Sequence, residues 1–220
     1  MNGVHYYRAA KISVSMGISE RREKEKKEMK QAILDAAMAL FIEDGYDSVS
    51  IRKIADRIEY SPSTIYLYFE DKDEIFFELH NIGFAELYSH QIETQNIADP
   101  RERLIAHGRA YLNFALEHTQ YYDLMFISRA PGIKIKKFNH WECGDRSYDL
   151  LRKNIIDCKE AGYFADKDLD AVSFVFWSLV HGMVSLHIRN RILLFDKEGI
   201  GFDVSALFEQ SLTILHSFIK

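Results

Sequence analysis

The sequence predicts an all-α protein of about nine helices, with a three-helix N-terminal domain and a larger helical C-terminal domain. Three observations predict it. Only 3 prolines and 11 glycines interrupt 220 residues, few breakers for a chain of this length. Apolar residues recur at helical spacing in segment after segment, and no run reads as a strand. Hydrophobic residues make up 47% of the chain, enough for a sizeable core.

Residues 1–20 are expected to form a disordered extension. Within them, Met16 precedes Gly-Ile-Ser-Glu-Arg-Arg, which starts like a native N-terminus. From Arg21 to Lys30 acidic and basic residues alternate densely, as on a solvated helix start. Met29, Ile33, Ala37, Leu40 and Phe41 then mark the buried face, and Gly45 is a natural stop. Ser50 is a good N-cap for a second helix. That helix sets Ile51, Ile54, Ala55 and Ile58 on one side and Arg52, Lys53, Asp56 and Arg57 on the other. After Glu59-Tyr60, Ser61-Pro62 signals another start, because the hydroxyl caps a free amide and proline loses no bond there.

This third helix is short. Ile65 and Phe69 share its inner face, Ser63, Thr64 and Leu67 project outward, and Tyr66 and Tyr68 flank them. Two helices joined by a tight turn, the second with an uncharged polar outer face, follow the helix-turn-helix plan over residues 50–69. Glu70-Asp71-Lys72-Asp73 starts a fourth helix running to about Thr94. Asp99-Pro100 marks the next boundary. Further helices are expected near 101–118, 120–129, 138–162, 168–190 and 203–219, with loops at Pro131-Gly132 and Gly199–Gly201. The domains are therefore read as 21–72 and 73–220.

The net charge is −5, which does not advertise a polyanion binder. Its distribution says more. Met1–Lys72 carries 12 basic and 12 acidic side chains, so the remainder holds the whole deficit. Cys143 and Cys158 form no disulfide framework, and no secretory pattern opens the chain, so a cytoplasmic location is expected. Ala171 to Ile188 carries no charge and has the length of a membrane span. Ser173, Ser178, Ser185, His181 and His187 punctuate it, so a helix apolar all round and packed among others is the expectation, not a span.

Several of these segments together resemble the DNA-binding domain of the TetR family of regulators. They are Ile33-Leu34-Asp35-Ala36-Ala37, Phe41 before Gly45-Tyr46, Ser50-Ile51-Arg52-Lys53-Ile54-Ala55, Ser61, Thr64 through Phe69, and Lys72-Asp73-Glu74-Ile75. One departure stands out: the family commonly has glycine in the turn where this chain has Glu59. The resemblance implies that Arg52 reaches a base edge or phosphate. Pro62, Ser63, Thr64, Tyr66, Leu67 and Tyr68 would line the major groove of operator DNA, with Lys72 at a phosphate. Arg21, Arg22, Lys24, Lys26 and Lys27 could add non-specific attraction, although interleaved glutamates nearly cancel their charge.

A second resemblance lies further on. Trp177-Ser178-Leu179-Val180-His181-Gly182, with Tyr121-Tyr122-Asp123-Leu124-Met125-Phe126, is similar to a Trp…His-Gly subgroup of TetR C-terminal domains. It implies a homodimer through the helices near 168–190 and 203–219. Val172, Val175, Phe176, Leu179, Val180 and Met183 would supply its surface, with Leu207, Phe208, Leu212, Leu215 and Phe218. The remaining helices are rich in aromatics, and an apolar pocket for a small-molecule effector is expected among them. Its candidate lining is Tyr88, His107, Tyr111, Phe114, His118, Tyr122, Phe126, Trp141, Tyr148, Trp177 and His181. Taken singly, each aromatic reads first as core, and His181 as a satisfied core histidine. The reading is thus a ligand-released repressor, with no cofactor and no enzymatic role. No phosphate-binding loop or nucleophile–base set supports an enzyme, and His140, Glu142 and Cys143 fit no tetrahedral zinc pattern. The other rival is a helical interaction protein that does not bind DNA.

Overall fold

The structure, a computed structural model, describes residues 17–127, 142–195 and 203–220. Among the described residues it contains nine α-helices and no strand. They are α1 (Ile18–Asp44), α2 (Ile51–Arg57), α3 (Pro62–Ile65), α4 (Lys72–Ile92), α5 (Pro100–Glu117), α6 (Thr119–Tyr122), α7 (Glu142–Glu160), α8 (Leu169–Ile188) and α9 (Val204–Phe218). The expected loops at 131–132 and 199–201, the start of the helix placed at 138–162, and Met16 lie outside the described residues.

Three elements differ from the sequence expectation. Helix α1 begins at Ile18, inside the stretch expected to be disordered. The helix placed at 120–129 is a single α turn, α6, that widens into a π turn at Asp123–Ile127. The third helix closes at Ile65, and Tyr66 to Tyr68 continue as turn. Short polar side chains set the starts. Ser50 Oγ accepts from the Lys53 amide at 3.2 Å, Ser61 Oγ from Thr64 at 3.3 Å, and Asp71 from Glu74 at 2.9 Å. Asp99, Asp168 and Asp203 do the same for α5, α8 and α9.

Apolar faces gather into two cores. The first joins Ile33, Ala37 and Phe41 of α1 to Ile54 and Ala55 of α2, to Ile65 and Phe69, and to Ile75, Phe76 and Leu79 of α4. The second joins Phe84 and Leu87 of α4 to the buried faces of α5, α7, α8 and α9. Helix α4 therefore belongs to both. The segment following α6 also straddles them: Leu124 lies in the first core, while Tyr122 and Met125 lie in the second. It packs so closely on α4 that a β-carbon at Gly83 would collide with Met125 Sδ and lie 3.1 Å from the Tyr121 ring. Arg103 of α5 ties α7 in place, bonding Asp157 at 2.5 Å, Asn154 at 3.2 Å and the Ile97 carbonyl at 2.8 Å.

Helix α8 is long and apolar enough to cross a membrane. It is not buried all round, as the sequence suggested. Ser173, Phe176, Val180 and Val184 face inward at three- and four-residue steps. Phe174, Val175, Leu179 and Leu186 are exposed, with Ile214 and Phe218 of α9. Of the residues expected to supply an interface, Phe176, Val180, Phe208 and Leu212 are instead in the chain's own core. Helical phase decides this, since residues one or two positions along point to a different face.

Gly45 links α1 to the short 3₁₀ turn Tyr46–Ser48 with φ 77° and ψ 152°, a region open essentially to glycine alone. A β-carbon there would touch nothing, so a substitution tests backbone strain without a clash. Gly45→Ala is expected to destabilise the protein by about 1–3 kcal/mol in equilibrium urea unfolding. An unchanged midpoint would contradict that conformation.

Candidate nucleic-acid interface and ligand cavity

Helices α2 and α3 are held by their inner faces and present their outer ones. Ile65 and Phe69 are buried, whereas Tyr66 is 56% and Leu67 79% exposed. Ser63 is exposed, and Pro62, Thr64 and Tyr68 are half-buried. The Ser61 hydroxyl lies 2.7 Å from that of Ser63 and 3.0 Å from that of Thr64. Three hydroxyls thus satisfy one another on a surface that carries no charge of its own. The nearby cations divide into two kinds. Lys53 pairs with Asp44 at 3.2 Å and Arg57 with Glu43 at 3.0 Å, which fastens α2 to the end of α1. Arg52 is exposed and enters no ion pair among the described residues.

Lys72, expected at a phosphate, is half-buried at the start of α4. Its ammonium donates to the carbonyls of Tyr46 and Val49, both at 2.9 Å, and sits 4.3 Å from the centroid of the Tyr46 ring. The Tyr46 hydroxyl in turn donates to Asp73. Lys72 thereby holds the α1–α2 connection against the start of α4 by bonding two of its backbone carbonyls. In the turn before α3, Glu59 has φ 60°, so it adopts the left-handed conformation that glycine would take without strain. At the other end of the domain, α1 projects three exposed turns carrying the Arg21–Glu25 and Lys24–Glu28 pairs.

The second core encloses a cavity of about 220 Å³ between α4, α5, α7 and α8. His107, Tyr111, Phe126, Tyr148 and Trp177 line it, as expected from the sequence. Phe84, Leu87, Gln91, Ser147, Leu151, Phe176 and Val180 complete most of the wall and were not foreseen as lining. Five expected members lie elsewhere. Phe114 and Tyr122 are fully buried in the core, and Tyr88 is half-buried outside the wall. His118 belongs to a cluster with Glu86 and His90. His181 lies behind the wall, where its Nδ1 is 2.8 Å from the Tyr122 hydroxyl and 3.1 Å from that of Tyr111. It is the bonded core histidine of the blander reading, and burial lowers its pKa. Trp141 lies outside the described residues.

One polar chain enters the cavity wall. Ser147 donates to Gln91 Oε1 at 2.7 Å, and Gln91 Nε2 lies 3.3 Å from His107 Nε2. With the amide donating there, the imidazole proton resides on Nδ1, which is buried without a hydrogen-bond partner among the described residues. Burial holds the His107 pKa down at about 4, so the ring is neutral. His80, at the joint between the cores, is likewise held at about 4 by burial, opposed by a bond to the Met125 backbone.

A helix-turn-helix surface carried on a helical domain with an internal cavity defines a DNA-binding transcription regulator. Residues 33–79 match the family described as bacterial regulatory proteins, tetR family, and residues 104–215 match the tetracyclin repressor-like C-terminal domain. The chain belongs to the TetR family. The HTH-type transcriptional regulator YobS of Bacillus subtilis (strain 168) is 23% identical over 154 residues, 70% of this chain and 76% of that protein. The regulator HbdR of Aromatoleum sp. (strain CIB) is 39% identical over 80 residues, 35% of this chain and 34% of that protein. The fold is shared with the fatty acid degradation regulator FadR from Bacillus halodurans at a TM-score of 0.67 and 20% identity, covering 84% of this chain and 93% of that one.

Two outcomes follow from this geometry. Glu59→Gly relieves the left-handed strain and is expected to stabilise the protein by about 1 kcal/mol in urea unfolding. A loss of stability would place the strain elsewhere. The two buried histidines make stability depend on pH. In the unfolded chain they take up protons near pH 6.5, but in the fold only near 4. Between those values the unfolded state binds more protons, so their contribution is complete above pH 6.5 and is lost on acidification toward 4. The loss is on the order of 3 kcal/mol for each. Urea midpoints measured from pH 7 to 4 should fall through this window, and less steeply in a His107→Leu chain.

Proposed function

We propose that the protein is a cytoplasmic repressor that binds two-fold operator DNA as a homodimer and releases it when a small molecule fills the α4–α5–α7–α8 cavity. The outer face of α3 is the observation that carries the reading. Tyr66 and Leu67 are exposed on the turn that continues α3, whose other side is anchored by Ile65 and Phe69. An apolar residue as open as Leu67 suits contact with thymine methyls, and the hydroxyls of Ser63, Thr64, Tyr66 and Tyr68 suit base edges or phosphates. Arg52 supplies the charge that α3 lacks. Lys72 acts by fixing the start of α4 and the α1–α2 connection, and Pro62 by setting the first turn of α3.

One α3 reads few base pairs, so specificity calls for a second subunit at a symmetric half-site. The exposed apolar residues of α8 and α9 suit that partner, and a second copy, not lipid, covers α8. Trp177 and His181, which share an aromatic cluster with Phe126, support placing the C-terminal domain in the Trp…His-Gly subgroup. The cavity is small beside typical ligand pockets of about 300–1,000 Å³. Its described wall offers the neutral His107 and the carboxylate of Asp145 but no cation. This mostly apolar wall suits a compact, neutral, mostly apolar effector with an acceptor for His107 Nδ1. The protein works as a binding switch and not as a catalyst.

Anisotropy titrations against the promoter fragment of its own gene test this reading. Arg52→Ala and Tyr66→Ala should each weaken binding by about 1–3 kcal/mol with unchanged melting temperature. Lys72→Ala should lower affinity and melting temperature together. Neutral apolar ketones or alcohols should release the DNA where the corresponding carboxylates do not, and His107→Leu should blunt the response. Unaltered DNA affinity in both the Arg52 and Tyr66 variants would overturn the assignment.

A further inference from the structure

Away from the cavity and the α3 surface, a second group of functional side chains gathers where α4 meets the end of α5. Glu86 and His90 stand four residues apart, hence on one face of α4. His118 caps the C-terminus of α5 directly opposite. Glu86 Oε1 lies 3.6 Å from the Nε2 atoms of both His90 and His118, and the three ligand atoms all fall within 4.8 Å of one another. Glu117 Oε2 approaches His90 Nε2 to 3.9 Å from the far side. The two imidazoles are held from below by Phe114, which is fully buried. Its ring centroid is 5.5 Å from that of His118 and 6.2 Å from that of His90.

We propose that Glu86, His90 and His118 form a binding site for a divalent transition metal of the Zn(II) type, with Glu117 or water as a further ligand. Two imidazole nitrogens and a carboxylate are the donor set such an ion prefers over Mg(II) or Ca(II), which favour all-oxygen shells. Bonds of roughly 2.0–2.2 Å require the donors to close by a few tenths of an ångström up to about one ångström. Side chains between a quarter and a half exposed can make that movement without disturbing the core. Packing of both rings against Phe114 limits their freedom in advance. A bound ion links the middle of α4 to the end of α5, on the side of α4 next to the one that Leu87 and Gln91 turn to the cavity. It would thus fix the helix shared by both cores by a route independent of the organic effector.

The test uses the full chain freed of metal by chelator and titrated with Co(II), whose visible absorption reports coordination by nitrogen, and then with Zn(II) in competition. The expected result is one ion per protomer bound in the micromolar range or tighter, with Zn(II) displacing Co(II). His90→Ala and His118→Ala should each weaken uptake by at least about tenfold. Glu86→Gln should weaken it as well while keeping the shape of the side chain, which covers the case in which a histidine variant folds poorly. His187→Ala, on α8, should have no effect. Absence of uptake by the unaltered protein at micromolar ion, or binding that survives in the His90→Ala/His118→Ala double variant, overturns the site. Neither result bears on DNA or effector binding, so the two readings fail separately.

Discussion

The contact of α4 with the segment after α6 is the constraint on which the rest of the structure depends. Among the described residues, the 21-residue α4 is the only element that contributes several buried side chains to both cores, with Ile75, Phe76 and Leu79 in one and Phe84 and Leu87 in the other. On its own, a helix joining two globules would leave them free to bend about it. The segment Asp123–Ile127 removes that freedom by laying Leu124 into the first core and Met125 into the second, one residue apart. Gly83 is what lets it approach, since any side chain there would meet Met125. Close packing at such a joint makes the relative placement of the two domains a matter of discrete arrangements, because interiors at crystal-like density do not deform continuously.

The N-terminal domain is stabilised by interactions that also limit its charge. Lys53 and Arg57 are committed to Asp44 and Glu43, and Lys72 to two backbone carbonyls. What remains on the outer face is hydroxyl, aromatic and aliphatic surface around Arg52. Such a surface discriminates through shape and short-range contacts more than through long-range attraction. In the proposed homodimer a second subunit would add to its affinity for a polyanion, and the exposed apolar residues of α8 and α9 suit that contact.

Much of this was legible in the sequence, and the exceptions share a physical cause. Ser50, Ser61-Pro62 and Asp99-Pro100 announced helix starts because capping is local chemistry, fixed by residues within one turn. Glu59 was legible as the odd residue of its turn, and it does take positive φ. Helical period alone could not say which face of α8 turns inward, because residues 171–188 carry no charge and apolar residues fall on every face. The chain's own core took Phe176 and Val180 and left Phe174 and Leu179 outside. The cavity was half legible for a similar reason. Large aromatics such as Phe114 and Tyr122 fill core as readily as they line pockets, whereas Gln91 and Ser147 become recognisable only once α4 and α7 are brought together. Lys72 shows another limit, since the sequence marks a cation at a helix start but not the carbonyls of a connection 23 and 26 residues earlier that it bonds.

The π turn gives these observations a direction. Within five residues, Asp123–Ile127 carries Leu124, which packs against the DNA-binding domain, and Phe126, which lines the cavity. Phe84, one helical position from Gly83 and also on the cavity wall, lies edge-on to Phe126 at 5.4 Å between centroids. A molecule entering the cavity must accommodate or displace this ring pair, and displacement acts within two residues on Leu124 and across Gly83 on α4. Single π turns of this kind are rare and recur at functional sites. Under the proposed ligand-released switch, the shortest contiguous packing between the cavity and the first core runs through Phe126 and Leu124 beside α4. A ligand shifts this equilibrium only by the difference in its affinity for the two arrangements. In the proposed switch, Phe126 and the His107 Nδ1 that lacks a partner among the described residues are the groups on which such a difference would act.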